Sequence, residues 1–170
     1  MRDARVVVGV TGTPAGLQAL RYAVAEARRR GAPLYAIRTW HSTPLWPGAD
    51  VRQWYGEIER AEADAVRAAF ADAFGCPPTD LAIEALVVEG PVAQTLLGYA
   101  HRDDDLLVIG SGRHRLRGVA RTCLRLASCP VVVVPPPDLA RTGSARSLAR
   151  QLCRETEEFV SALDRPAGAA

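Results

Sequence analysis

Five short, mostly apolar runs recur along the chain, and between them the apolar positions shift to helical spacing. The runs are Arg5–Val10 (RVVVGV), Pro33–Trp40 (PLYAIRTW), Ala82–Val88 (AIEALVV), Leu106–Ile109 and Val131–Val134. Unbroken apolar runs rich in β-branched residues predict strands covered on both faces, because a strand with one wet face alternates. After the first run, Thr13 suits a helix N-cap, Pro14 the first helical position, and Leu17, Leu20, Ala23, Val24 and Ala27 follow at helical intervals. Arg28, Arg29 and Arg30 complement the dipole of that helix and Gly31 ends it. A second helix is predicted from Asp50 to Phe74, stopped by Gly75, Pro77 and Pro78. Shorter ones are predicted over Val92–His101, behind Glu89-Gly90-Pro91, and over Val119–Ala127.

Strands that alternate with helices at this interval make βαβ units with right-handed crossovers. The prediction is an α/β protein, a three-layer αβα sandwich around a five-stranded parallel sheet of order 3-2-1-4-5. Strand order then reverses between strands 1 and 4, and open sheets of this kind hold ligands in the crevice at that reversal. Thr11, Gly12 and Thr13 follow strand 1, and Gly110, Ser111, Gly112 and Arg113 follow strand 4. The order brings both turns to one crevice, where backbone N–H groups, a helix N-terminus and arginines suit a ligand carrying phosphate.

The 170 residues fit one domain with a full core, residues 1–137, and a C-terminal extension, residues 138–170. In the extension, Leu148, Leu152, Phe159, Val160 and Leu163 predict an amphipathic helix over about residues 144–163, ahead of a flexible end. Such a helix covers its own domain or a partner. All 21 basic residues are arginine, so no phosphate-binding, Schiff-base or general-base lysine is available. A formal net charge of +2 argues for neither nucleic acid nor an anionic membrane surface. No stretch approaches the roughly 20 apolar residues of a membrane span, and the first apolar run is too short for a signal peptide; a cytoplasmic protein is expected. Cys76, Cys123, Cys129 and Cys153 have no metal-ligand spacing, and no metal site is predicted. Cys123 and Cys129 fall in apolar patterns and read as buried thiols.

Three pieces together resemble the universal stress protein family: VVVGVTGTPAGLQALRYAVAEARRRGAPLYAIRTW, VVEGPVAQTLLGYA and LLVIGSG…ASCPVVVVPPP. Each alone is a generic α/β pattern, whereas their order and spacing are specific, and they span Arg5 to about Pro136. The resemblance implies a Rossmann-like fold and a stress-response role. It further implies a homodimer pairing last strands edge to edge, here Val131–Val134, and, in some members, binding of ATP or another adenine nucleotide. Two positions depart from the nucleotide-binding members. Their frame G-V-D-G-S ends strand 1 with an aspartate, where this chain has Thr11. Their phosphate loop has the form G-x2-G-x9-G-[ST], which no spacing of Gly110, Gly112 and Gly118 satisfies. Counted back from Ser128-Cys129-Pro130, the closing pair falls on Arg117-Gly118. Glycines let a backbone wrap a phosphate closely; Arg113, His114 and Arg115 supply charge and bidentate donors instead.

The candidate nucleotide contacts are therefore Thr11, Gly12, Thr13, Ile37, Gly110, Gly112, Arg113, Gly118 and Val119, with Ile37 placed to touch an adenine. The run Arg113, Arg115, Arg117, Arg121 and Arg125 reads either as a solvated face or as an anion-binding loop. Asp103–Asp105 read as loop solvation before strand 4, and His41 and His101 as structural or surface residues without a visible partner. Trp40, Trp46 and Trp54 read as packing at the edge of the core. Ser111 lacks the G-x-S-x-G frame of a nucleophile elbow. With no convergent acid and base, the function expected is a non-catalytic sensor or scaffold that binds ATP through a degenerate phosphate loop. The alternative is a dimeric interaction module that binds no nucleotide.

Overall fold

The computed structural model describes residues 4–41, 51–111 and 118–141. The chain divides into two compact units, Met1–Pro136 and Pro137–Ala170. In the first, β1 (Val6–Gly9), α1 (Pro14–Arg30), β2 (Leu34–Trp40), α2 (Val51–Phe74) and β3 (Ile83–Glu89) are followed by α3 (Val92–Tyr99), β4 (Leu106–Gly110), α4 (Val119–Leu126) and β5 (Val131–Val134). All strand pairs are parallel and the order is β3-β2-β1-β4-β5, as the alternation predicts. In the second unit Asp138–Arg141 form one helical turn, α5, which the sequence pattern did not signal. The predicted helix over residues 144–163, along with Trp46 and Cys153, lies outside the described residues.

The central strands β1 and β4 are unbroken apolar runs because both of their faces are buried, whereas the edge strand β3 leaves Glu84 exposed. Val6, Val8, Leu34, Ala36, Leu106 and Val108 point into one core with Leu20 and Val24 of α1 and Phe70 of α2. Their neighbours Val7, Ile37, Leu107 and Ile109 point into the other, with Leu96 of α3 and Cys123 of α4. Full burial of one such branched side chain stabilises the fold by about 1.5–3 kcal/mol. Cys123 and Cys129 are buried thiols, and burial pushes Cys123 up to about 11. Trp40 is 6% exposed and packs edge-on to Trp54, ring centres 6.4 Å apart.

The local signals for α1 hold in detail. Thr13 is extended and its side chain accepts the Gly16 N–H at 3.1 Å, while Gly31 takes the left-handed conformation at φ 61° that a β-carbon disfavours. At the end of α3 the helix stops two residues early. His101, exposed but not partnerless, donates from Nδ1 to the Gly98 carbonyl at 2.8 Å and so serves one of the carbonyls that the helix leaves open.

Asp105 corrects the reading of the acidic triplet as solvated punctuation. Its side chain is fully buried, at the start of β4 beside the start of β1. Its Oδ1 accepts the Arg5 backbone N–H at 3.2 Å and Arg5 Nε–H at 3.1 Å. Its Oδ2 accepts Arg5 Nη2–H at 2.7 Å and the Arg102 N–H at 3.0 Å. The Arg5 guanidinium also lies 5.6 Å from the Tyr35 ring centre. Sequence spacing could not reveal this pair, because its partners are 100 residues apart. Burial opposes the charge on Asp105, but the hydrogen bonds from Arg5 and Arg102 outweigh it and hold the carboxyl below its ordinary range.

Asp105→Ala leaves the Arg5 guanidinium without its buried partner and is expected to cost about 3–5 kcal/mol in urea unfolding. A group whose folded pKa is depressed stabilises the fold above its unfolded pKa, roughly 3.9 for aspartate, and loses that contribution as pH falls through the folded value. Native stability should therefore drop below about pH 4, with a shallower drop in Asp105→Ala. A loss under 1 kcal/mol, or an unchanged acid limb, would contradict this role.

Candidate functional site

At the C-terminal ends of β1, β2 and β4 the sheet opens into a cavity of about 450 Å³, within the range of small-molecule sites. Thr11 and Thr13 from the turn after β1, and Gly110 from the end of β4, lie on its wall together. Ile37 lines it from β2 and Val119 from the start of α4. Gly12 is exposed within the first turn. Gly118 is the N-cap of α4, with φ 69° and ψ −128°, and is not on the cavity wall. Gly112 and Arg113, with His114, Arg115 and Arg117, lie outside the described residues.

The wall is built by two close approaches. A β-carbon on Gly110 would stand 2.7 Å from the Ala15 carbonyl group and 2.8 Å from the Gly16 nitrogen. A β-carbon on Gly16 would meet Thr11 Oγ1 at 2.0 Å and the Thr11 carbonyl oxygen at 2.5 Å. Both glycines are thus packing glycines: they let the first turn of α1 lie across the end of β4 and over the turn after β1. Thr11 and Thr13 share a hydroxyl hydrogen bond at 2.9 Å, which with the N-cap bond of Thr13 fixes the turn. Gly16 carried no signal in the sequence, since it sits at an ordinary helical position.

Sequence reasoning also missed Arg38 and Thr39 at the end of β2, and Val92 and Leu96 of α3, all on the same wall. Val92 and Leu96 are legible as one helix face, but only the fold turns that face toward Ile37. Arg38 donates from Nε to Glu62 of α2, and its Nη1 lies 3.5 Å from the Val10 carbonyl oxygen, so its guanidinium sits beside the position before Thr11. Among the described wall residues Arg38 carries the one formal charge, and there is no carboxylate, histidine or cysteine. Ser111 is 4% exposed. Its backbone N–H bonds the Val134 carbonyl at 2.8 Å, and its hydroxyl has no partner among the described residues. No cluster of potential metal ligands occurs among the described residues, and no described helix is long and apolar enough to cross a membrane.

An open α/β sheet with a ligand-sized crevice where its strand order reverses defines the class of protein. The profile of the universal stress protein family matches residues 4–135, and the chain belongs to that family. Universal stress protein Rv2623 of Mycobacterium tuberculosis is 32% identical over 148 residues, covering 78% of this chain and 48% of that protein. The chain thus spans about half the length of the curated relatives it matches. Universal stress protein UspA from Lactobacillus plantarum superposes with a TM-score of 0.60 at 24% identity, over 79% of this chain and 99% of that one. A family member from Arabidopsis thaliana, solved with AMP bound, superposes at 0.56 and 18% identity over 84% and 97%. These likenesses agree with the five-stranded sheet.

Gly110→Ala should lower stability by about 1–3 kcal/mol, read as a fall in Tm, because the atoms that its methyl would meet are backbone and cannot rotate away. Gly12→Ala, where a β-carbon meets nothing within 4 Å, should change Tm far less. Equal effects at the two positions would contradict the packing role of Gly110.

Proposed function

We propose that this chain is a non-catalytic sensor or scaffold that binds an adenine nucleotide in the crevice at the ends of β1, β2 and β4. The observation that carries the reading is that Thr11, Thr13, Ile37, Gly110 and Val119 line one cavity. An apolar floor of Ile37, Leu96 and Val92 suits a purine ring, and the hydroxyl-bearing rim suits a ribose. Phosphate falls to the segment after Gly110, with Gly12, Gly112, Arg113 and Gly118 as its further contacts and ATP as the candidate nucleotide. Arginine side chains there provide charge and bidentate hydrogen bonds in place of a longer glycine cradle. The AMP bound to the Arabidopsis protein is compatible with a ligand of this class. The proposed compartment is the cytoplasm.

The protein is further proposed to be a homodimer through β5. That strand pairs only with β4 among the described strands, and Val131, Val132 and Val133 stay half-buried. The preceding helix, α4, exposes Leu124 and Leu126. A second copy pairing with this edge satisfies its backbone groups and removes an aggregation-prone face.

Isothermal titration with ATP and Mg²⁺ should show binding in the micromolar range, weakened about tenfold or more by Arg113→Ala through loss of a charge-assisted hydrogen bond. No heat up to millimolar nucleotide, with the dimer intact, would favour the interaction module without nucleotide. Phosphate release lost on mutation of wall residues would contradict the non-catalytic reading. Val133→Lys should give monomers or aggregates by light scattering; a stable dimer in that variant would rule out the β5 edge as the interface.

A further inference from the structure

The corner of the cavity between β1 and β2 has a charge character that the apolar floor does not need. Arg38 brings a guanidinium to the wall, its Nη1 3.5 Å from the Val10 carbonyl. Thr39 follows it on the same wall and Thr11 stands across from it. Among the described wall residues Arg38 is the one cation, and none is a carboxylate. The nearest acid is Glu62, held by Arg38 Nε from α2 outside the cavity. Neither described partner of Arg38 engages Nη2.

In open α/β sheets the residue at the end of a ligand-facing strand reads the ribose. An acidic side chain accepts the ribose hydroxyls and excludes a phosphate on them, whereas an arginine accommodates that phosphate. Here the strand end carries Arg38-Thr39, and residue 11 opposite is a neutral threonine. We propose that the crevice selects adenine nucleotides phosphorylated on the ribose 2′ or 3′ oxygen as well as at the 5′ position, with Arg38, Thr39 and Thr11 holding that second phosphate. This rests on the nucleotide reading above and narrows its ligand class. Arg38 exchanges part of its contact with Glu62 for phosphate oxygens, so Glu62 acts as the competitor that tunes affinity. Arginine suits this role because its planar fork can serve a carboxylate and a phosphate from different edges.

The test is calorimetric titration of the full chain with AMP, adenosine 2′,5′-bisphosphate and adenosine 3′,5′-bisphosphate at one ionic strength. At least one bisphosphate should bind about ten- to a hundredfold more tightly than AMP, the range for a charge-assisted contact. The tighter isomer identifies which oxygen carries the phosphate. Arg38→Gln should collapse the ratio of affinities toward one, and Glu62→Gln should enlarge it by freeing the guanidinium. If AMP binds but both bisphosphates bind no better, the selectivity is refuted while the nucleotide reading stands. A preference that survives Arg38→Gln, or that Glu62→Gln leaves unchanged, likewise refutes it. If none of the three binds at millimolar concentration while ATP does, the selectivity is refuted and the nucleotide reading stands; if ATP also fails to bind, both fall together. Should Arg38→Gln not fold, the Glu62→Gln ratio decides alone.

Discussion

The crevice depends on how closely the first turn of α1 can lie against the end of β4. Gly110 makes the approach possible by having no β-carbon, with backbone atoms of Ala15 and Gly16 already in the space such an atom would take. Gly16 does the same on the other side of the helix turn, leaving room for Thr11. A single methyl at either point would push the helix off the strand end. Thr11 and Gly110 would then move apart, and the cavity wall they share would lose its continuity. Sterics, rather than any attractive contact, sets this geometry.

The opposite end of the sheet is held by attraction. Asp105 has both oxygens satisfied by Arg5 and Arg102, which ties the start of β4 to the start of β1 and fixes their register. The exposed Arg28–Asp80 pair is similarly short, at 2.7 Å, yet solvent screens it and it contributes little. Burial, rather than distance, separates these two ion pairs. The domain is therefore clamped at the end where the strands begin and left open where they finish. Ligand sites of open parallel sheets gather at the finishing end because the connecting turns there can vary without disturbing the core.

Membership of the universal stress protein family agrees with the fold, and among the described residues of the crevice wall Arg38 carries the one formal charge. Thr11, after β1, and Arg38, near the end of β2, both lie on that wall. After β4, the spacing of Gly110, Gly112 and Gly118 differs from the form G-x2-G-x9-G-[ST].

The sequence by itself determined the strands, their order, the caps of α1 and the placing of Thr11 and Thr13 beside Gly110, because each follows from apolar runs, a threonine before a proline, a glycine after arginines. Ile37 was legible as a wall residue for the same reason, since it lies at the ligand-facing end of a recognisable strand. Arg38 was not, because strand alternation says only that it points away from Ile37, and not that it lines the cavity with Nη1 3.5 Å from the Val10 carbonyl oxygen. Asp105 read as a solvated loop acid, since nothing within a hundred residues of chain announces Arg5 as its partner. Gly16 looked like any helical glycine until Thr11 was seen against it. Those three roles were decided only by the tertiary structure, because burial, long-range pairing and close approach are properties of space between segments and leave no periodic trace along the chain.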